Sequence, residues 1–316
     1  MKTRVSLQLI VVILSFFSFS LVTAQETENY TSDKLLDKLQ KGDRAALLMV
    51  HFGTSYDETR SLTIDAINAK AKEAFPELEV REAYTSRIIL RILKRRGVEK
   101  HSPLEALLRL RAEGYTHVIV QSTTLLEGAE MESLYRDVES MLPFFKEIRI
   151  GHPLLYSVDD CRCVAEILVR RHSDKADLKK KSHVVFVGHG THVPATATYS
   201  QMDMLLKEMG QPQMHVSTIE GYPDFDATLS FLKAAKAKNL TLIPFLFVAG
   251  DHASNDIAVE WRQAFEKEGM QVGTCLEGLG QIEEIQNIYI DHIRFALENL
   301  PKDIMQKKKV YYEQGK

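Results

Sequence analysis

The sequence predicts an α/β fold of two similar lobes, each a mainly parallel sheet flanked by helices. Short apolar runs alternate with longer amphipathic stretches, a pattern typical of strands joined by crossover helices. The order of these elements occurs twice along the chain, which indicates an internal repeat. Ligands of open parallel sheets bind beyond the carboxyl ends of the strands, so we expect the functional site in the cleft between the lobes.

The individual elements follow from the hydrophobic pattern, beginning with a short helix near residues 33–41. Strands are predicted at 46–52, 78–84, 117–121, 147–150, 183–188, 214–219, 240–247 and 270–275. Helices are predicted at 56–74, 86–96, 103–112, 131–142, 158–171, 196–208, 224–238, 256–268 and 282–297. The segments between successive strands are long enough for parallel crossovers.

The N-terminal region has the pattern of an export signal. Two basic residues precede the almost wholly apolar stretch 5–22, and Val22-Thr23-Ala24 offers a small-residue cleavage site. The stretch is also just long enough to span a bilayer as an uncleaved anchor, although serines dilute it. We expect a signal peptide at 1–24, cleaved after Ala24, and a periplasmic mature chain without stable membrane insertion.

The remaining chain divides at changes in composition. We predict a linker with a short helix at 25–44, an N-terminal α/β lobe at 45–173, a C-terminal α/β lobe at 183–300 and a polar tail at 301–316. A lysine-rich run separates the two lobes. Within the repeat, the segment 48–54 aligns with 185–191, because each is an apolar strand that leads into Gly-Thr.

Composition and missing motifs exclude several classes of function. A formal net charge of -3 with interspersed charges argues against nucleic-acid binding. Three cysteines cannot build a disulfide scaffold, since one must stay unpaired. The sequence contains no phosphate loop, dinucleotide fingerprint or nucleophile elbow, so chemistry driven by a nucleotide is not expected. The partner is therefore predicted to be a small molecule, and a homo-oligomer is compatible with the sequence.

Three potential metal ligands follow three predicted strands. His189 stands between Gly188 and Gly190, which we expect to leave room for a bulky ligand over the imidazole. Glu220 ends another strand, and His252 follows a third. Two imidazoles and one carboxylate suit Co(II), Ni(II), Fe(II) or Zn(II). The neighbouring His192 is either a fourth ligand or the start of the next helix, and we expect the latter, with its side chain turned away.

Further polar residues follow strands of the N-terminal lobe. The repeat sets Glu127 opposite His252, so we expect Glu127 to reach the cleft and to accept protons, whereas Glu130 is assigned to substrate binding. Alternatively, Glu127 and Glu130 are present only because acidic residues are favoured at the N-terminus of a helix. Ser86 and Arg87 begin a helix and are candidates for contacts to substrate carboxylates, or Arg87 forms a structural ion pair.

Ordered motifs over most of the chain resemble the anaerobic sirohydrochlorin cobalt chelatase family, CbiK, which belongs to the class II chelatases that need no ATP. The resemblance runs from about residue 46 to 297 and is carried by Phe52-Gly53-Thr54-Ser55, Tyr84-Thr85-Ser86-Arg87-Ile88-Ile89, Leu126-Glu127-Gly128-Ala129-Glu130, Val187-Gly188-His189-Gly190, Ile219-Glu220-Gly221-Tyr222-Pro223 and Ala249-Gly250-Asp251-His252-Ala253.

The resemblance implies a chelatase-like fold and a function. The tetrapyrrole would lie in the cleft between the lobes, and the reaction would be insertion of Co²⁺ into sirohydrochlorin, as in cobalamin-type biosynthesis. His189, Glu220 and His252 would bind the cobalt. His189 would also serve as proton acceptor, and Glu127 would line the cleft.

Two alternatives remain open at the level of sequence. A periplasmic protein that carries haem, another tetrapyrrole or a divalent metal would use the same cleft, and a chelatase for Fe²⁺ or Ni²⁺ would use similar ligands. His51, His101 and His152 lie outside the motifs and offer further imidazoles for haem or metal, although no motif supports haem. For each of them we expect a satisfied or solvated histidine.

Overall fold

The computed structural model describes residues 29–250 and 253–313. The predicted signal peptide and the predicted ligand His252 lie outside the described residues. The described residues form two units, a larger one within residues 38–297 and a smaller one that contains residues 29–37 and 298–313. The predicted site residues, apart from His252, are described within the larger unit.

The strands, in chain order, are β1 Tyr30–Ser32, β2 Ala45–His51, β3 Glu79–Tyr84, β4 His117–Ser122, β5 Glu147–Ile150, β6 Ser182–Gly190, β7 Met214–Glu220, β8 Asn239–Pro244, β9 Gln271–Thr274 and β10 Asn299–Pro301. The α-helices are α1 Asp57–Arg60, α2 Ala66–Ala74, α3 Arg87–Arg95, α4 Pro103–Ala112, α5 Ala129–Met141, α6 Val158–His172, α7 Ala197–Glu208, α8 Phe225–Ala234, α9 Arg262–Lys267, α10 Glu283–Glu298 and α11 Ile304–Glu313. Segments of π-helix, Ser61–Asp65 and Ala253–Trp261, join α1 to α2 and precede α9.

The larger unit contains two four-stranded parallel sheets, in the orders β3-β2-β4-β5 and β7-β6-β8-β9. The two orders are equivalent, which confirms the repeat and the predicted fold class. The central strands are continuous apolar runs, and residues 46–50 of β2 and 184–187 of β6 are completely buried. Such runs are typical of parallel strands covered by helices on both faces.

The helices begin where the sequence supplies side chains that cap them. Ser102 and Ser157 form capping boxes with Glu105 and Asp160, and these start α4 and α6. The Asp224 side chain accepts a hydrogen bond from the amide of Ala227 at the start of α8. These caps explain why the predicted helix starts agree closely with the observed ones.

Several predicted bounds are wrong, and each has a local reason. The strand predicted at 183–188 continues through Gly190, so His189 lies within β6 and does not follow it. The strand predicted at 240–247 ends at Pro244, since proline lacks an amide hydrogen to continue the ladder. The helix predicted at 33–41 is only a single 3₁₀ turn, Leu36–Lys38.

Helix α10 of the second lobe makes hydrogen bonds to the first lobe. Tyr289 of α10 donates a hydrogen bond to the backbone oxygens of both Thr123 and Thr124, which follow β4 of the first sheet. Arg149 of β5 donates to the backbone oxygens of residues 296 and 297. Since α10 follows the last strand of the second sheet, these contacts connect the two lobes.

The smaller unit contains elements that the sequence analysis did not predict. Strand β1 pairs antiparallel with β10, with Tyr30 opposite Pro301, and α11 follows.

In the described part of the chain, every helix is too short or too polar to cross a bilayer. The thiols of Cys161, Cys163 and Cys275 are all free.

Candidate active site

A cleft of about 500 Å³ lies at the carboxyl ends of the strands and is lined by residues of both lobes. Its apolar walls include Phe52, Ile88, Ile89, Leu125, Leu126, Val193, Phe245, Leu246, Phe247 and Val248. The polar residues that line the cleft include Ser86, Thr123, Thr124, Glu130, His189, Thr191, His192 and Glu220. The volume falls in the range of small-molecule sites, and the lining combines apolar surface with a few polar groups, as such sites do.

The ends of β6 and β7 bring two predicted ligands to the same edge. Gly190 pairs with Glu220 in the parallel register, so the residue before Gly190, His189, lies beside the end of β7. The His189 Nδ1 atom lies 3.3 Å from the carbonyl oxygen of Gly190. Among residues 29–250 and 253–313, no group of three or more His, Cys, Asp or Glu side chains is arranged to hold a metal ion.

The glycines that flank His189 are required by the fold itself, and the room they leave for a ligand stays a prediction. A Cβ atom on Gly188 would lie 2.4 Å from the Cε1 atom of Tyr199. Gly190 has a φ of +90°, and a Cβ atom there would lie 1.6 Å from the carbonyl oxygen of Glu220. The Tyr199 hydroxyl also accepts a hydrogen bond of 3.3 Å from the Gly190 amide. Both glycines are therefore required by close contacts within the chain, and these contacts hold His189 in place.

His192 lies in the cleft, so the expectation that it begins the next helix and points away is wrong. A 3₁₀ turn begins at Pro194 and α7 at Ala197, which leaves His192 in the loop after β6. Its Nε2 atom lies 3.5 Å from the Oε2 atom of Glu220. The spacing of three residues from His189 was the only signal in the sequence, and it did not specify the direction of the side chain.

The two acids of the first lobe occupy different environments. Glu130, in the first turn of α5, lines the cleft, and burial raises the pKa of its carboxyl from 4.5 to about 7. Glu127 is exposed, accepts a hydrogen bond of 2.8 Å from the Tyr135 hydroxyl and is not among the residues that line the cleft. The sequence analysis assigned proton transfer to Glu127, whereas the geometry favours Glu130.

Ser86 and Arg87 also differ in their position relative to the cleft. The Ser86 side chain lines the cleft and accepts a hydrogen bond of 3.4 Å from the amide of Ile89, which caps α3. Arg87 is exposed and is not among the residues that line the cleft. Its charge acts on Asp137 of α5, where burial raises the pKa of the carboxyl and Arg87 opposes that rise.

The three additional histidines do not line the cleft. His51 is buried between Thr123 and Asn68, each 3.0 Å from a ring nitrogen, and burial lowers its pKa to about 4. His152 stacks on Tyr156 with ring centroids 3.6 Å apart, and burial lowers its pKa to about 4 as well. His101 lies 3.7 Å from the Glu99 carboxylate. His51 is thus a satisfied core histidine, as expected.

Solved structures with a similar fold include chelatases. SirB from Bacillus subtilis, solved with Fe³⁺, matches with a TM-score of 0.58 and 16% identity, covering 80% of this chain and 96% of that one. DR2241 from Deinococcus radiodurans, a multi-domain protein with structural similarity to chelatases, matches with a TM-score of 0.52 and 15% identity, covering 84% of this chain and 56% of that one. At these identities the likeness establishes the fold.

Two relatives are similar over almost their whole length. The sirohydrochlorin cobaltochelatase of Salmonella typhimurium is 33% identical over 259 residues, which are 80% of this chain and 97% of the relative. The sirohydrochlorin cobaltochelatase CbiKC of Nitratidesulfovibrio vulgaris is 33% identical over 264 residues, 81% of this chain and 92% of the relative. The family described as cobalt chelatase (CbiK) matches residues 45–298. The chain therefore belongs to the cobalt chelatase (CbiK) family.

Proposed function

We infer that the chain is a sirohydrochlorin cobaltochelatase, which inserts Co²⁺ into sirohydrochlorin without ATP. The observation that carries this inference is the cleft, where two imidazoles and two carboxylates lie in a largely apolar lining within the part of the chain that matches the family. A flat macrocycle requires apolar walls, and a divalent cation requires nitrogen and oxygen ligands at its face. The cleft provides both.

The walls of the cleft would hold and orient the tetrapyrrole. Phe52 and Ile88 come from the first lobe and Phe247 from the second, so the macrocycle contacts apolar side chains from both lobes. Burying these side chains against the macrocycle removes water from the reacting face, which strengthens the electrostatic contacts there. The position of Glu130 in this lining explains why its carboxyl is poorly solvated.

We propose that His189, Glu220 and His252 hold the cobalt ion next to the macrocycle. The register of β6 and β7 supports the first two, and Gly250, two residues before His252 in the sequence, lines the cleft. Two neutral imidazoles and one carboxylate leave the bound cation with a net positive charge and open positions for the pyrrole nitrogens. The ion can therefore exchange these ligands for ring nitrogens without leaving the cleft.

Proton removal is the second requirement of the reaction. Insertion of one Co²⁺ replaces two pyrrole protons, so the site must accept two protons for each ion delivered. We propose that Glu130, whose pKa of about 7 lets it gain and lose a proton near neutral pH, accepts one of them. His189 accepts the other once its ring nitrogen has released the metal. Proton transfer by Glu127, which does not line the cleft, stays a prediction from the sequence.

Anaerobic absorption spectroscopy tests this function directly. Sirohydrochlorin and Co²⁺ are mixed with catalytic amounts of the protein, and the spectrum of the metallated product is followed for wild type, His189→Ala and His252→Ala. We expect many turnovers for wild type and their loss in both variants. A spectral change that saturates at one equivalent of protein would instead identify a tetrapyrrole carrier, and parallel reactions with Fe²⁺ and Ni²⁺ identify the preferred metal.

We also propose that the chain is exported. The apolar stretch 5–22 and the Val22-Thr23-Ala24 sequence support a cleaved signal peptide and a periplasmic mature protein. Mass spectrometry of the protein recovered from a periplasmic fraction tests this, and an N-terminus at Gln25 is the expected result. Recovery of the intact chain with the membrane fraction would indicate an uncleaved anchor.

A further inference from the structure

His192 and Glu220 form a pair of potential metal ligands at the mouth of the cleft. The His192 side chain is 83% exposed and the Glu220 side chain 52% exposed, so both are accessible to a hydrated cation from solvent. Both residues line the same cleft as His189. A hydrated ion that enters from solvent meets this pair at the exposed end of the site.

The distance between the two ligand atoms suits a single metal ion. The His192 Nε2 and Glu220 Oε2 atoms are 3.5 Å apart. With metal–nitrogen and metal–oxygen bonds of about 2.1 Å, that separation corresponds to a ligand–metal–ligand angle of about 113°, close to tetrahedral. The separation of the two atoms is therefore compatible with one shared ion.

The loops that carry the two ligands are held against each other. The Thr196 hydroxyl accepts a hydrogen bond of 3.2 Å from the Tyr222 amide, which connects the segment after β6 to the turn after β7. A Cβ atom on Gly221, whose φ is +136°, would lie 3.1 Å from the Thr191 carbonyl oxygen. Such close packing keeps His192 and Glu220 near each other before any metal binds.

We propose that His192 and Glu220 form a loading site for Co²⁺, from which the ion passes to His189 with Glu220 as the shared ligand. The ion exchanges two water molecules for the His192 nitrogen and the Glu220 oxygen. It then exchanges His192 for His189, which lies beside the end of the strand that carries Glu220. The direction of transfer rests on the proposed function, whereas the binding of the cation by this pair does not.

Co²⁺ binding in the absence of tetrapyrrole tests the site without requiring turnover. Isothermal titration and the visible absorption of bound Co²⁺ are measured for wild type, His189→Ala, His192→Ala and the double variant. In the His189→Ala background, where the ion cannot pass on, we expect loss of His192 to weaken binding at least about tenfold, since it removes one ligand. We expect His189→Ala to retain a weaker site that the double variant lacks. Equal affinity with and without His192 in both backgrounds overturns the proposal.

Matched variants separate ligation from a structural effect. In the His189→Ala background, His192→Asp supplies another metal ligand and is expected to retain more Co²⁺ binding than His192→Ala. His101→Ala removes an imidazole outside the cleft, where it lies near Glu99, and is expected to bind Co²⁺ like wild type. Equal loss of binding in His192→Asp and His192→Ala would show that the imidazole acts through the fold and not as a ligand.

The kinetics of cobalt insertion test the loading step. We expect His192→Ala to raise the KM for Co²⁺ at least about tenfold, with a far smaller change in kcat and in the KM for sirohydrochlorin. A loss confined to kcat overturns the loading role. If wild type binds Co²⁺ through His192 but never metallates sirohydrochlorin, the proposed function fails while the metal site stands.

Discussion

Replacement of Glu130 by glutamine removes a charge from a poorly solvated position and is expected to stabilise the protein at high pH. Burial raises the pKa of Glu130 from 4.5 to about 7, a difference that corresponds to about 3 kcal/mol against the ionised form in the folded state. The folded protein therefore holds this proton more tightly than the unfolded chain. Stability conferred by the protonated group is present below pH 4.5 and is lost as pH rises through about 7.

Urea unfolding of wild type and Glu130→Gln at pH 5 and pH 8 measures this effect. A carboxyl whose pKa is 4.5 in the unfolded chain and about 7 in the folded protein predicts a change between the two pH values. From pH 5 to pH 8 the free energy of unfolding of the variant should rise by about 2.5 kcal/mol relative to that of wild type. Glutamine is neutral at both values, so any constant difference in packing cancels. A relative gain well below about 1 kcal/mol would refute the reasoning that Glu130 is desolvated.

The same substitution is expected to lower the rate of cobalt insertion, although it stabilises the fold at high pH. If the Glu130 carboxylate accepts a pyrrole proton, kcat/KM for cobalt insertion should rise with pH through about 7, and Glu130→Gln should lose most of this rise. Greater stability with lower activity would identify Glu130 as a residue whose burial serves the reaction. A variant with wild-type activity and an unchanged pH profile would exclude it from proton transfer.

Three further predictions concern the framework of the site. Gly190→Ala would place Cβ 1.6 Å from the Glu220 carbonyl oxygen at a φ of +90°. Urea unfolding should therefore show that the free energy of unfolding falls by about 3 kcal/mol or more. Gly210→Ala is the control and should lose less, because its φ is +76° and no atom lies within 4 Å. His51, whose pKa burial lowers to about 4, should show no imidazole titration between pH 5 and 8 by NMR, and a midpoint near 6.5 would contradict its burial. Tyr289→Phe removes the donor to the Thr123 carbonyl, whereas the Thr124 carbonyl keeps its hydrogen bond from the Leu154 amide. The loss should cost about 1–3 kcal/mol in the same urea assay, and an unchanged midpoint would show that the contact does not stabilise the fold.

The fold was predictable because its determinants are local and periodic. Continuous apolar runs such as residues 46–50 predict buried parallel strands, and amphipathic stretches with serine caps predict the crossover helices. The prediction was weakest where a long-range contact decides the structure. The pairing of β1 with β10 joins segments from opposite ends of the chain, which no local pattern indicates. The attachment of α10 to the first lobe depends in the same way on the distant contacts of Tyr289.

The sequence by itself determined the family, the repeated α/β architecture and the residue types of the site, because short motifs such as Gly188-His189-Gly190 combine chemistry with a required backbone geometry. Only the tertiary structure decided which side chains face the cleft. Glu127 and Glu130 are three residues apart on the same segment, yet one is exposed beside Tyr135 and the other has a raised pKa at the cleft. The desolvation of a carboxyl and the direction of its side chain depend on atoms from other strands and helices, so both are decided only when the lobes pack together.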